Sequence, residues 1–270
     1  MFLWSYYIII FIFGTIIGSF LSSVSFRLNK TFSLEVKKHS FCPKCLHRLG
    51  FFDLIPLVSF ILLKGKCRYC GEKISLRYPL IEAGTGIVFA VCLLFISAQN
   101  IFLIGSWHSF AALLYLLLTS SFLIVVLVAD LEQGLIPSNF VYGAVGISFL
   151  YKAVFNLRQP DIFLKTPNLF YSLLGGLGVF AFFFALWLVS KRKWIGFGDV
   201  ELALFIGFFL GPTKAFLGLF CAFILGALIG LALKKKMSDK IPFAPFLITG
   251  FFIAAFLGDK ITSWYFNLFF

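Results

Sequence analysis

The stretch LLYLLLTSSFLIVVLVAD, running from Leu113 to Asp130, carries no charge until it stops on a carboxylate. A helix needs about 20 mostly apolar residues to cross the hydrocarbon core of a bilayer, and this segment with its uncharged upstream flank meets that length. The same signature recurs at residues 1–26, 83–129, 133–151, 166–190, 215–233 and 241–258. The run 83–129 has room for two crossings with a turn near Asn100 to Trp107. Hydrophobic residues make up 61% of the 270 positions and charged residues 13%, a proportion that no single soluble core could hide from water. The chain is therefore expected to be all-α, a polytopic transmembrane helix bundle of about eight spans.

A formal charge of +12 could suggest a nucleic-acid partner, but its placement argues for a bilayer. Of the 23 Lys and Arg residues, 11 lie between Arg27 and Arg77, three at residues 191–193, and four at Lys234, Lys235, Lys236 and Lys240. All of these fall in gaps that alternate crossings put on one side of the membrane, and by the positive-inside rule that side is the cytosol. The other five, Lys152, Arg158, Lys165, Lys214 and Lys260, scatter over gaps on the opposite side. The runs at 191–193 and 234–236 read as anchors for an anionic inner leaflet. The N-terminal run lacks the basic n-region of a cleaved signal. Residues 4–26 thus read as a retained anchor with the N-terminus outside, and parity puts the C-terminus outside too. The 39 phenylalanines read as lipid-facing bulk and packing.

Inside the basic gap lie Cys42-Pro-Lys-Cys45 and Cys67-Arg-Tyr-Cys70. Each CxxC turn can aim two thiolates at one ion, and two such turns complete a tetrahedral four-cysteine zinc site. Four ordinary thiols or a redox pair are the alternatives; disulfides are the poorer reading on the reducing side of a membrane. With four cysteine ligands no position stays open for water, so the zinc would fold a small cytosolic zinc-ribbon-like insertion and do no chemistry. Cys92 and Cys221 sit in spanning runs and read as core. His39, His47 and His108 show no ligand spacing with one another.

Two carboxylates stand where apolar runs end. Asp130 opens Asp-Leu-Glu-Gln-Gly-Leu-Ile-Pro137-Ser, and Asp199 lies in Gly196-Phe-Gly198-Asp199-Val-Glu201. The apolar stretch from Leu202 to Thr213 is too short to cross about 30 Å of hydrocarbon, so a spanning helix there has to begin earlier and draw Asp199 into the membrane margin. Ionisable groups at such depth are costly and are functional candidates. Each aspartate alone also suits a helix cap. Together, at one membrane face, they suit an aspartic protease, in which two nearby carboxylates share a proton. Gly196 and Gly198 would let backbone approach an extended substrate. Glu132 and Glu201 each lie two positions from an aspartate, a spacing that does not share a helix face.

Taken in order, the blocks Gly18-Ser-Phe-Leu, the paired CxxC turns flanking Phe52-Asp-Leu-Ile-Pro-Leu-Val-Ser-Phe, Arg77-Tyr-Pro-Leu-Ile-Glu82, the two aspartate blocks and Ile241-Pro-Phe-Ala-Pro-Phe resemble bacterial type IV prepilin peptidases, membrane aspartyl proteases of the GxGD type. The resemblance implies that Asp130 and Asp199 match the catalytic pair. It also implies that the substrates are prepilin and pseudopilin precursors of type IV pilus and type II secretion systems, cut after a Gly at the cytosolic face of the bacterial inner membrane. Members with the tetracysteine loop also methylate the new N-terminal residue with S-adenosylmethionine. No glycine-rich nucleotide fingerprint is present, so the resemblance assigns no residues to the methyl donor, and Glu82 matches a family position of unassigned role. Ser22, Ser138 and Glu201 depart from the family's usual Asn, Asp and Lys. The expected organisation is a first span at 1–27, a zinc-binding loop at 28–78 and a peptidase bundle at 79–270. A small transporter or channel with intramembrane carboxylates is the rival from another class, against which stands the placement of both aspartates at one face.

Overall fold

The computed structural model describes residues 2–28, 40–98, 107–157, 166–232 and 242–269. The turn at 100–106, the loop at 158–165, His39 and the Lys234–Lys236 and Lys240 cluster lie outside them. Among the described residues every long element is a helix: α1 (Phe2–Leu28), the short α2 (Val58–Leu62), α3 (Arg77–Ala98), α4 (Trp107–Gln133), α5 (Ser138–Phe155), α6 (Leu169–Val189), α7 (Phe197–Ala232) and α8 (Ala244–Phe269). Six of these, α1, α3, α4, α6, α7 and α8, are long and apolar enough to cross a membrane, and the chain is a multi-pass membrane protein. α5 has 18 residues, and α7 is two limbs, 197–210 and 212–232, broken where Gly211 takes φ 72° ahead of Pro212. Counting α5 and the two limbs of α7 separately gives eight long helical segments among the described residues, of which six spans meet the length and composition of a crossing where about eight were expected.

The chain forms two compact units, residues 1–100 and 101–270. In the first, α1 lies against α3 through glycine. A β-carbon on Gly14 would stand 2.8 Å from the Gly86 Cα, and one on Gly18 would stand 2.9 Å from the Glu82 Cα. Small residues at these positions let two backbones meet closely, which is how helices gain contact where lipid offers no hydrophobic drive. The Gly18 block and the Glu82 block are thus two faces of one helix contact.

In the second unit the same device joins α6 to α7 and α7 to α8. A β-carbon on Gly175 would meet the Gly207 carbonyl oxygen at 2.6 Å, and Gly250 lies directly against the Gly218 carbonyl. The break in α7 has a chemical consequence. Pro212 has no N–H and Gly211 is not helical, so carbonyls near the end of the first limb lose their intrahelical donors. Lys152 fills that need: its Nζ donates to the Phe208 and Phe209 carbonyls at 3.0 and 3.1 Å and to the Ser172 hydroxyl. It is fully buried, which corrects its expected place in an outside gap. A cation at a helix C-terminus also suits the macrodipole. Lys214, assigned to the same outside gaps, lies in α7 paired with Asp259 at 2.9 Å.

Candidate active site and metal centre

Asp130 and Asp199 both belong to the second unit, and both are buried. Asp130 sits in the last turn of α4, where its Oδ2 accepts the Ala244 N–H at 3.1 Å. Ala244 opens α8, so the closing Ile241-Pro-Phe-Ala-Pro-Phe block is tied to the first aspartate, a link that sequence order did not show. Asp199 sits in the first turn of α7, and its Oδ2 accepts the Gly196 N–H at 3.2 Å. Each carboxylate therefore meets the positive end of a helix through one oxygen. The capping role weighed for them is real, and it holds each head group in a fixed pose.

The turn that follows α4 packs against the start of α7. A β-carbon on Gly198 would stand 2.6 Å from the Ile136 Cβ. The glycine is needed because the 131–137 segment crosses the start of α7 there, and the space reserved for an extended substrate is filled by Ile136. Gly196 is different: a β-carbon there would meet only the Asp199 Oδ2, at 3.3 Å.

The neighbouring glutamates take other faces. Glu132 is exposed. Glu201 is buried, its Oε1 accepting the Tyr142 hydroxyl at 2.7 Å, while its Oε2 meets no donor among the described residues. Tyr142 and Lys152 escaped the sequence reading. Lys152 could have been found by asking which cation answers a Gly-Pro break in an apolar helix.

In the first unit, the Sγ atoms of Cys42, Cys45, Cys67 and Cys70 lie within 4.8 Å of one another. Cys42 Sγ is 3.9 Å from Cys70 Sγ, against about 3.8 Å for two sulfurs on a tetrahedral ion with bonds of about 2.3 Å. The donors fit a metal ion. Both turns are built alike. The Leu46 N–H donates to the Cys42 carbonyl and the Cys42 N–H to the His47 carbonyl, while the Gly71 N–H donates to Cys67 and the Cys67 N–H to Glu72. The residue after each second cysteine is left-handed, Leu46 at φ 58° and Gly71 at φ 70°.

The thiols divide their charge unevenly. Burial would raise the Cys42 thiol, but the Cys45 and Lys44 N–H groups and the neighbouring thiols outweigh it and bring it down to about 7. The Glu72 N–H would lower Cys70, but desolvation and its bonds to the other three thiols push it up to about 12. His47 packs against Tyr69, ring centroids 3.7 Å apart and planes tilted by 32°, and so joins the two turns by packing. Asp53 joins them by charge, accepting from the Gly50 N–H at 3.0 Å, the Tyr69 hydroxyl at 3.0 Å and the Arg68 Nε at 2.8 Å. Burial would raise its carboxyl, yet these three donors hold it below the ordinary carboxylate range.

Two family models match the chain. The Bacterial Peptidase A24 N-terminal domain covers residues 12–96, the span that holds the thiol cluster, and the Type IV leader peptidase family covers residues 117–231, the span that holds both aspartates. A protein of Bacillus subtilis (strain 168) named prepilin leader peptidase/N-methyltransferase is 33% identical over 265 residues, 96% of this chain and 98% of its own length. The chain belongs to the type IV leader peptidase family. Proteins of the same name from Legionella pneumophila, 29% identical over 97% of this chain and 95% of theirs, and Aeromonas salmonicida (strain A449), 28% identical over 97% and 94%, span it equally well. No solved structure matches it significantly. Membership accounts for the order of the sequence blocks in both units.

Proposed function

We propose that this chain is a membrane aspartic endopeptidase that removes the leader from type IV prepilins and pseudopilins at the cytosolic face of the bacterial inner membrane, and that it then N-methylates the new N-terminal residue. The observation that carries the reading is the pair of buried carboxylates, Asp130 and Asp199, each pinned through one oxygen to a helix N-terminus within the same compact unit. Two carboxylates that serve one pocket share a proton. The ionised member takes a proton from water as the water attacks the scissile carbonyl, and the protonated member donates to the carbonyl oxygen. The backbone N–H bonds at Asp130 and Asp199 fix where the remaining oxygens point, which is the preorganisation such a reaction needs.

For the thiol cluster the reading is zinc held by Cys42, Cys45, Cys67 and Cys70 in a structural role, since the four sulfurs leave no ligand position for water. S-adenosylmethionine is the methyl donor, supplying a methyl group on a cationic sulfur. The basic gap between Arg27 and Arg77 supports a cytosolic position for the cluster.

The test is expression of Asp130→Asn and Asp199→Asn with a prepilin in cells lacking this protein. Both variants insert and leave the leader on, and mass spectrometry of the pilin reports leader removal and N-methylation together. Cleavage at the normal rate by either variant removes the pair from the mechanism.

A further inference from the structure

The insertion between α1 and α3 carries an apolar helix face that nothing described in its own unit covers. On α2, Val58, Ile61 and Leu62 stand at the i, i+3 and i+4 positions that share one side of a helix, and they are 49%, 71% and 76% exposed. The opposite side is largely apolar as well. Ser59, Phe60 and Leu63 turn inward, to a chamber of about 400 Å³ that Glu82 and Arg77 also line. A helix that is apolar all round belongs in a core or in a membrane, and α2 offers only one of its sides to a core.

The depth of α2 is set by the spans beside it. Leu57, its N-cap, takes a left-handed φ of 59°, a conformation that a bulky side chain rarely adopts. The Leu57 N–H donates to Glu82 Oε2 at 2.9 Å, which holds the start of α2 against α3. Glu82 is five residues inside α3, which begins at Arg77, or about 8 Å along the helix axis. Gly18, whose β-carbon would stand 2.9 Å from the Glu82 Cα, is ten residues short of the end of α1 at Leu28, or about 15 Å. Both α1 and α3 are long and apolar enough to cross a membrane. The start of α2 is therefore level with the interior of two spans, and interfacial helices lie about 5–10 Å into the headgroup and acyl boundary. Lys64 and Lys66 follow α2 directly and are both exposed. Cations beside such an apolar face suit anionic headgroups.

We propose that α2 is an interfacial helix whose Val58, Ile61 and Leu62 face lies in the lipid of the bilayer that α1 and α3 cross, with Lys64 and Lys66 against anionic headgroups. The thiol turns flank α2 along the chain, Cys45 before it and Cys67 after it. A helix seated in the boundary thus holds the whole insertion against the membrane surface, where a membrane-bound precursor leaves the bilayer, and keeps it from swinging on its two links. The inference needs the spans and not the carboxylate pair, so it can fail while the peptidase reading stands.

The test places the photoreactive amino acid p-benzoylphenylalanine at Ile61 of the full chain, in nanodiscs of phosphatidylethanolamine and phosphatidylglycerol. Adducts formed on irradiation are mapped by mass spectrometry. An adduct of lipid mass is expected there, as it is for the same probe at Ile9, a position 61% exposed on α1. An adduct to residues 101–270, or to a prepilin added to the nanodiscs, means that protein covers this face and overturns the proposal. So does a probe at Ile61 that captures nothing while the one at Ile9 labels lipid. In a second arm, Ile61→Ser changes an exposed position that has little protein packing to lose. Amide exchange across residues 55–63 should quicken about 10-fold in nanodiscs, the least that withdrawing one such side chain from lipid costs, and unchanged exchange overturns the proposal. Exchange in the wild type should also quicken about 5-fold in nanodiscs of phosphatidylcholine alone, a dependence that replacing Lys64 and Lys66 by Gln removes. Indifference of the wild type to lipid charge overturns the part given to the lysines.

Discussion

Replacing Gly198 by alanine tests how the carboxylate pair is positioned. The new β-carbon would stand 2.6 Å from the Ile136 Cβ and 3.2 Å from its Cγ2 and Cδ1. Carbon atoms settle at about 3.5–4.0 Å, so the turn after α4 and the start of α7 have to separate by about 1 Å. Overpacking of this kind costs about 1–3 kcal/mol. Ile136 follows Asp130 by one turn segment and Gly198 precedes Asp199 directly, so the separation falls on the two carboxylates. A displacement of about 1 Å at reacting groups costs about 100-fold in rate. Leader cleavage of a purified prepilin in proteoliposomes should therefore drop by about 100-fold in Gly198→Ala. Gly196→Ala, whose β-carbon meets only the Asp199 Oδ2 at 3.3 Å, should lose far less. Ile136→Gly removes the opposing β-carbon, and in the double variant it should recover at least 10-fold, a coupling of about 1.4 kcal/mol. Wild-type cleavage by Gly198→Ala, or a double variant no better than the single, refutes the idea that Ile136 sets the distance.

Lys152→Met keeps the apolar stem and strips the donors from the Phe208 and Phe209 carbonyls, which should cost about 2–4 kcal/mol; an unchanged melting temperature in detergent would count against its capping role. Asp53→Asn should loosen the thiol-turn segment by about 1–3 kcal/mol. Because the Asp53 carboxyl lies below its unfolded value of about 3.9, its stabilisation is full above that value and disappears as the pH falls below about 4. The difference between wild type and Asp53→Asn, read by limited proteolysis of the loop, should close over that interval and not at higher pH. In the thiol turns, Gly71→Leu forces a side chain into a left-handed position with open space around it. It should weaken metal retention against a competing chelator by about 10-fold, a conformational cost of about 1–2 kcal/mol, whereas Leu46→Gly should not weaken it.

Much of the site was legible in the chain. CxxC spacing predicts a four-thiol cluster because a two-residue gap leaves few ways to aim both sulfurs, and the Sγ atoms do converge. Asp130 and Asp199 stand out because ionisable groups drawn into the membrane margin are costly, although each alone also suits a helix cap. Partners that lie far along the chain were not legible. Nothing near Asp130 names Ala244 as its donor, nothing near Gly198 names Ile136, and Asp53 reads as an ordinary loop residue until Tyr69 and Arg68 close on it. Lys152 was misplaced because a count of charges by gap cannot see a carbonyl in another helix.

Hydropathy, charge asymmetry and ligand spacing are local properties, and they alone determined that this chain is a multi-pass helical membrane protein with a thiol cluster and two marginal aspartates. The backbone donors that hold those aspartates, the broken α7 capped by Lys152, and the chamber lined by Glu82 and Arg77 were decided by tertiary structure. Each arises where glycine lets two helices approach or where a helix end must find a partner, and those meetings depend on which surfaces pack together after every span has formed.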